Sequence, residues 1–210
     1  MAVLMGNYGG SQSDYLIHFT RRGNRRHSNS VPAEIQVMSA EERLGAIITD
    51  GAMRLFRPFG AEKPCACFTE TTLEHLRYLL NKRGYSPWGI VMTRDQVLDD
   101  GGGTVTYTHR EPTLTAFRNA GLGHWAVRTG GEVSAVDWTY EREWRIPWRA
   151  PQLPLKNRVR AILISNEFWR PVPKDEELPD LWKKSHIWVW RPEAEAGKGA
   201  VTQYAPGDLT

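Results

Sequence analysis

The chain has 210 residues, which is the size of one large domain or two small ones. Hydrophobic residues make up 40% of it and aromatic residues 10%, a composition that excludes a disordered chain. Lys and Arg number 27 against 24 Asp and Glu, and the net charge of +3 is too small to mark a strongly basic nucleic-acid binder. No apolar run approaches the ~18 residues that span a bilayer, and the N-terminus lacks the basic and apolar regions of a signal peptide. These features predict a cytoplasmic protein with no membrane contact.

The cysteines and the common motifs narrow the chemistry further. Cys65 and Cys67 lie one residue apart, where they are poorly placed to pair, and with the 6 histidines of the chain they give no zinc spacing. We therefore expect a reduced protein without a bound metal, in which both cysteines are small buried side chains. The P-loop, dinucleotide, H-E-x-x-H and G-x-S-x-G motifs are absent, so the commonest catalytic signatures are excluded.

The predicted elements of the first half are short strands that alternate with capped helices. In chain order they are a strand at 14–20, a helix begun by the capping box of Ser39 and Glu42 and ended at Gly51, a strand at 63–69, a helix begun by Thr71 and Glu74 and ended at Gly84, a strand at 88–93, a helical turn at 94–100, a strand at 104–108 and a helix at 112–120.

The second half of the chain is richer in strands. A long alternating stretch at 133–147, an apolar run at 159–165 and a last strand at 185–190 follow one another, with a charged, proline-containing loop at 171–179. Residues 1–13 and 192–210 are expected to be poorly ordered tails. Because no linker divides the chain, we predict a single α+β domain over residues 1–210.

Two of the predicted strands carry polar residues of interest. In the first strand, period-two alternation places His18 and Thr20 on one face and Phe19 on the other. A lone histidine in a strand is more often a structural residue than a ligand, so this pattern alone does not indicate a site.

The end of the 133–147 stretch is the second such strand. Here Glu141, Glu143 and Arg145 share one face by the same alternation. Taken alone, two carboxylates in this arrangement are better explained as a solvated, charged sheet face, on which they pair with Arg142 and Arg145.

Taken together, the strands resemble those of the ADP-ribosyltransferase superfamily. In its histidine-type branch a first-strand His holds the ribose of NAD, a small hydroxyl residue stands two positions later, and a late-strand Glu is catalytic. His18 and Thr20 match the first pair, with Phe19 between them, and Glu143 matches the catalytic Glu. Glu141 completes the E-x-E of the arginine-type branch, so both branches stay open.

The same resemblance implies a fold and further NAD contacts. The family's second-strand and helix aromatics correspond by spacing to Phe68 and Tyr78. The implied fold is a single-domain, ADP-ribosyltransferase-like split β-sheet core with flanking helices and a cleft between the two sheets.

A second resemblance covers more of the chain. The stretch 63–107 and the later Y-E-x-E-W-R are similar to AbiGi-type abortive-infection proteins. The matching residues are Cys67, Phe68, Thr69, Glu70, Tyr85, Trp88, Gly89, Ile90 and 140–145. DarT-type toxins, which ADP-ribosylate bases of DNA, share the general layout of first strand and final Glu. This chain departs from them where they carry an Arg-containing second-strand motif, because Glu70 and Thr71 stand there instead.

The chemistry implied by these resemblances needs no metal. Breaking the nicotinamide–ribose bond passes through an oxocarbenium-like state, which a carboxylate near the anomeric carbon stabilises. In this hypothesis Glu143 takes that role and Glu141 orients or deprotonates the acceptor. His18 and Thr20 hold the ribose and the amide in the reacting geometry.

The acceptor is predicted from the loop that directly follows the first strand. Its four arginines suit the phosphates of NAD or of a nucleic acid, and the alternative is a solvated loop. They are Arg21, Arg22, Arg25 and Arg26.

The leading hypothesis is therefore an NAD-dependent mono-ADP-ribosyltransferase that modifies DNA or RNA bases as a toxin or anti-phage effector. NAD is its co-substrate, and an antitoxin protein is a further expected partner. The alternatives are an NAD glycohydrolase or an RNA phosphate-transfer enzyme of the same fold. A catalytically inactive binding module or antitoxin of an abortive-infection system is the non-enzymatic alternative.

Overall fold

The computed structural model describes residues 12–21, 30–58, 60–130, 137–173 and 176–210. Its strands are β1 Tyr15–Phe19, β2 Ala52–Arg54, β3 Cys65–Glu70, β4 Gly89–Thr93, β5 Gly103–Thr104, β6 Thr106–Thr108, β7 Ala126–Arg128, β8 Glu143–Pro147, β9 Gln152–Pro154, β10 Ala161–Ile164, β11 His186–Arg191 and β12 Ala200–Tyr204. Its helices are α1 Ala33–Gln36, α2 Ala40–Asp50, α3 Leu73–Lys82, α4 Arg94–Asp99, α5 Glu111–Asn119, α6 Asp180–Lys184 and α7 Ala194–Gly197, with 3-10 turns at Gly123–Trp125 and Thr139–Glu141.

One large mixed sheet organises these elements. Eight strands follow the order β12-β11-β10-β4-β1-β3-β8-β5. The β10–β11 pair is parallel, and the remaining pairs of this sheet are antiparallel. Strands β2 and β9 form a separate antiparallel pair, and β6 and β7 a separate parallel one. Together with the helices, this sheet confirms the α+β class that the sequence predicts.

The sheet is buried on both faces because its central strands are nearly continuous apolar runs, whose successive side chains project to opposite faces. On the face that we call the α2 face, contacts between sheet and helix involve Leu16, Phe68, Trp144, Leu44 and Ile48. On the opposite face, which we call the α3 face, they involve Ile17, Phe19, Val91, Leu76 and Leu79.

The two predicted capping boxes have different outcomes. The first is confirmed: the Ser39 hydroxyl accepts from the Glu42 amide at 3.1 Å, and the Glu42 carboxylate accepts from the Ser39 amide at 2.7 Å. The second is wrong by one residue. Thr72 caps α3 by accepting from the His75 amide, because the hydroxyl of Thr71 donates to the Thr69 carbonyl instead.

Three other expectations also need correction. The stretch 104–108 divides into β5 and β6 rather than forming one strand. In the stretch 133–147, residues 131–136 lie outside the described ranges, Thr139–Glu141 forms a 3-10 turn, and β8 begins at Glu143 because Arg142 adopts a left-handed backbone with φ 46°. The segment 192–210 is not a poorly ordered tail: β12 adds to the edge of the sheet by pairing with β11.

The close approach of β1 and β4 makes Gly89 a test of this packing. A Cβ at this position would lie 2.5 Å from the His18 carbonyl oxygen, so Gly89→Ala forces the two strands apart. We expect it to lower the free energy of unfolding by about 1–3 kcal/mol, measured by urea denaturation.

The matched control is Gly45→Ala in α2, where the nearest atom to a new Cβ is a Trp169 ring carbon at 3.7 Å. This change should leave the free energy of unfolding unchanged or raise it by about 0.5–1 kcal/mol, because alanine is the better helix residue. Equal effects of the two substitutions would contradict the β1–β4 packing described above.

Candidate active site

The three strands that carry the sequence motifs are immediate neighbours in the sheet. β3 lies between β1, which carries His18, and β8, which begins at Glu143. Thr69 of β3 is paired with Ile17 of β1 on one side and with Glu143 on the other. Segments far apart in the chain therefore meet within one small area of the sheet.

β1 and β3 diverge at His18. Their backbones pair at two positions, Leu16 with Glu70 and Ile17 with Thr69, although β1 continues alongside β4 to Phe19. Beyond these pairs the side chain of His18 replaces the backbone, since its Nδ1 lies 2.8 Å from the Cys67 carbonyl oxygen. At this point β1 and β3 are joined by the side chain of His18 and not by paired backbone groups.

His18 contacts Phe68 beside this divergence, and Thr20 follows two residues later along the chain. The rings of His18 and Phe68 meet edge to face with centroids 5.9 Å apart, and Phe68 is fully buried in the core of the α2 face. The Thr20 hydroxyl is used internally, because it donates to the Ala40 carbonyl at 2.7 Å and lies 3.1 Å from that of Trp88.

His18 and Glu143 do not share a face of the sheet. The register aligns Ile17, Thr69 and Glu143, whose side chains therefore project to the α3 face. His18 follows Ile17 and projects to the α2 face. Phe19 again faces α3, where its ring meets that of Tyr85 at 5.1 Å.

Glu143 forms a buried ion pair with Arg145. The two side chains face the same way on β8, and Arg145 Nε and Nη2 each lie 3.1 Å from a different carboxylate oxygen of Glu143. Arg145 also donates to the His124 carbonyl at 2.8 Å. Burial opposes the charge on Arg145, but the Glu143 carboxylate holds the pKa of Arg145 above its ordinary value. The predicted charge pairing of Glu143 with Arg145 is therefore confirmed, but the expectation of a solvated face is wrong, because both side chains are buried and Arg142 pairs with Glu70.

The surroundings of Glu143 fix its position further. Its amide donates to the Tyr107 hydroxyl at 2.9 Å. The neighbouring Thr69 hydroxyl is fully buried and has no hydrogen-bond partner among the described residues. Cys65 and Cys67 are buried and form no disulfide, as expected, and burial raises the pKa of Cys65 to about 11. The Cys65 thiol is thus protonated at neutral pH.

Glu141 lies in the 3-10 turn that precedes β8, and it too is buried. Its Oε1 accepts from the Tyr85 hydroxyl at 2.7 Å. The amide of Ser86, the residue after Tyr85, donates to the Arg21 carbonyl at 3.4 Å, so Tyr85 lies near the end of β1 in space. Glu141 is thereby connected to the start of the predicted arginine loop.

Glu70 of the C-F-T-E motif is a structural carboxylate. Its oxygens accept from Arg142 at 2.8 Å, Trp144 at 3.1 Å and the Ser13 amide at 3.2 Å, and Arg94 lies within 3.1 Å. A carboxylate that already accepts from this many donors has little capacity left to bind a ligand.

Tyr78 and the arginine loop complete the predicted set. Tyr78 is 38% exposed on α3, where its ring stacks on His75 and meets Tyr140 edge to face. Arg21 is exposed at the end of the first described segment, whereas Arg22, Arg25 and Arg26 lie outside the described residues.

Pockets, metal clusters and membrane-spanning helices are the features outside the predicted site that would also indicate a function. A surface pocket of about 270 Å³ is lined by Gly60, Glu111, Leu114, Arg118, Gly123, Ala126 and Arg128, none of which belongs to the predicted site. Among the described residues no group of three or more His, Cys, Asp or Glu is arranged to hold a metal. None of the described helices has both the length and the apolar character that crossing a bilayer needs.

Comparison with known proteins gives no family for this chain. No protein-family model, no curated protein and no solved structure matches it. The functional argument therefore depends on the residues and geometry described above.

Sequence reasoning missed two residues that shape the site. Tyr107, whose hydroxyl accepts from Glu143, lies in a strand to which we assigned no role. His75, described below, was assigned nothing because a histidine in the first turn of a helix has no distinguishing pattern. The pairing of Arg145 with Glu143, in contrast, is detectable from their shared face.

The Glu143–Arg145 pair gives a prediction about stability. Arg145→Met leaves the Glu143 carboxylate buried without its charged partner, so we expect the free energy of unfolding to fall by about 3–5 kcal/mol. Glu143→Gln keeps an oxygen that accepts from Arg145 and is expected to cost less. The double variant, Glu143→Gln with Arg145→Met, should recover part of the loss of Arg145→Met alone.

Urea denaturation of the three variants measures these differences. A loss of less than about 1 kcal/mol for Arg145→Met, or strictly additive effects in the double variant, would show that the pair does not hold the carboxylate in place.

Proposed function

We propose that this protein is an NAD-dependent mono-ADP-ribosyltransferase, with a nucleic acid as its acceptor and a role as a toxin or anti-phage effector. The observation that carries the proposal is the adjacency of β1, β3 and β8, together with the divergence of β1 and β3 at His18. In the resembled family these three strands supply the ribose-holding His, the second-strand motif and the catalytic Glu.

The divergence supports entry of a ligand between the strands. His18 and Glu143 lie on opposite faces, so a single ribose contacts both only where the sheet is not closed by backbone hydrogen bonds. That condition holds directly beyond the Ile17–Thr69 pair. In this proposal NAD takes over the contact that His18 now makes with the Cys67 carbonyl.

The state of Glu143 supports its role as the charge-stabilising carboxylate. Arg145 holds its carboxylate through two hydrogen bonds, and the Tyr107 contact fixes the backbone from which it projects. A negative charge that is already oriented needs no reorganisation when the ribose becomes positive. The buried, unpartnered hydroxyl of Thr69 adds a group beside it that a ribose hydroxyl would satisfy.

Glu141 supports the second half of the reaction. Its contact with Tyr85 places a carboxylate near the start of the arginine loop, where an acceptor carrying phosphates would approach. In the proposal an acceptor atom bonds to the anomeric carbon of the ribose and gives its proton to Glu141, while the nicotinamide–ribose bond breaks and nicotinamide leaves with the bonding electron pair.

A second candidate function is a binding module without catalysis. This function is favoured because the predicted site residues already have partners within the protein. Glu143 is paired with Arg145, the Thr20 hydroxyl is bound to main-chain carbonyls, and Phe68 packs in the core. Such a protein would keep the polar groups for stability alone.

Nicotinamide release from labelled NAD separates the two functions. Release by the wild type should fall by about 100- to 1,000-fold in Glu143→Gln, because one preorganised electrostatic contact is lost. Glu141→Gln should reduce label transfer to the acceptor more than nicotinamide release, and His18→Ala should raise the KM for NAD. The control is Glu177→Gln, which changes an exposed carboxylate and should behave as wild type.

Single-stranded DNA, RNA and protein lysate are supplied in separate reactions. Label on one of them identifies the acceptor class, and Glu143-dependent release without labelled polymer indicates a glycohydrolase. Absence of release in all reactions, or equal release by Glu143→Gln, would overturn the proposal.

A further inference from the structure

His75 joins the strand β3 to the turn that carries Glu141. Its Nδ1 lies 2.9 Å from the Glu70 carbonyl oxygen, and its Nε2 lies 2.7 Å from the Tyr140 carbonyl oxygen. Glu70 is the last residue of β3, and Tyr140 directly precedes Glu141. One ring thus spans two segments that meet at the candidate site.

The helix presents the ring to these carbonyls from its first turn. Thr72 caps α3 by accepting from the His75 amide at 3.2 Å, which fixes the backbone from which the ring projects. The ring stacks on Tyr78 at 6.3 Å with an interplanar angle of 18°. The guanidinium of Arg83 lies 3.8 Å from the centre of the Tyr140 ring, so α3 contacts the turn through a second residue near its C-terminal end.

Both partners of the ring are carbonyl oxygens, which only accept hydrogen bonds. In either neutral tautomer the ring donates to one of the two carbonyls, and the imidazolium donates to both. Burial lowers the pKa of His75, whereas the hydrogen bond to the Glu70 carbonyl acts in the opposite direction. In every protonation state, then, the ring contributes at least one N–H donor to the bridge.

We propose that His75 is a positioning residue, whose ring N–H groups hold the turn Thr139–Glu141 against the end of β3 and so set the place of the Glu141 carboxylate. Its importance for transfer rests on the proposed function, since Glu141 acts there on the acceptor. Its importance for the turn does not, because the hydrogen bonds are present whatever the protein binds.

Two substitutions of His75 distinguish the contribution of its ring N–H groups from that of its aromatic packing. His75→Gln keeps a side-chain N–H donor and loses the aromatic stack, whereas His75→Phe keeps an aromatic ring and loses both nitrogens. If the donors matter, the Gln variant resembles wild type and the Phe variant does not. If the ring matters only as packing, the order is reversed.

Amide hydrogen exchange measures the turn without any assay of activity. The Glu141 and Arg142 amides donate to the Trp138 and Thr139 carbonyls within it. We expect His75→Phe to accelerate their exchange by about tenfold and His75→Gln to stay within about threefold of wild type. The amides of Val91 and Ile162 in the centre of the sheet should not change, which reports on the overall fold.

Unchanged exchange in His75→Phe, or equal acceleration in both variants, would overturn the proposal. Should the Phe variant not fold, His75→Met removes the donors with a flexible side chain and is read in the same way. In the labelling assay the Phe variant should transfer less label than the Gln variant. A wild type that does not cleave NAD would refute the proposed function while the exchange result still decides the role of His75.

Discussion

Strand β3 is buried along its whole length even though it ends in a threonine and a glutamate. A buried carboxylate is tolerated only with charged partners and full hydrogen bonding. Glu70 meets this requirement through Arg142, Arg94, Trp144 and the Ser13 amide. Because Arg142 and Trp144 belong to the chain segment that enters β8, this one carboxylate ties the late strand to the middle one. The position of Glu143 beside Thr69 follows from that connection.

The same requirement for hydrogen-bonded partners applies to the other polar side chains of the candidate site. Glu143 is held by Arg145, Glu141 by Tyr85, and His18 by the Cys67 carbonyl. A site of this kind stabilises charge through groups that are already oriented, and its cost is paid in folding rather than during the reaction. Backbone pairing between β1 and β3 is limited to two positions, and the proposed NAD site lies where it ends.

Local patterns in the sequence were sufficient for much of the fold. The capping box of α2 depends on Ser39 and Glu42 alone, and the apolar strands β1, β3 and β10 are recognisable from their own residues. Features that depend on distant contacts were not predictable. β12 forms because β11 offers it an edge, and α3 is capped by Thr72 because the hydroxyl of Thr71 has another partner.

The candidate site divides in the same way. Period-two alternation predicts that Glu143 and Arg145 share a face, as they do. It does not reveal that Arg142 takes a left-handed backbone, which breaks the alternation between Glu141 and Glu143. Nor does it reveal the register of β1 against β3, which places His18 and Glu143 on opposite faces. Both depend on pairing between strands that are far apart in the chain.

The central claim is that one ligand, NAD, engages β1, β3 and β8 together. The most direct measurement is a titration of the ¹⁵N-labelled protein with NAD, followed by amide chemical shifts. The account predicts saturable shifts at His18, Thr69 and Glu143, which lie on the three strands beside the divergence. An absence of shifts, or shifts confined to the pocket that contains Glu111 and Arg128, would contradict it.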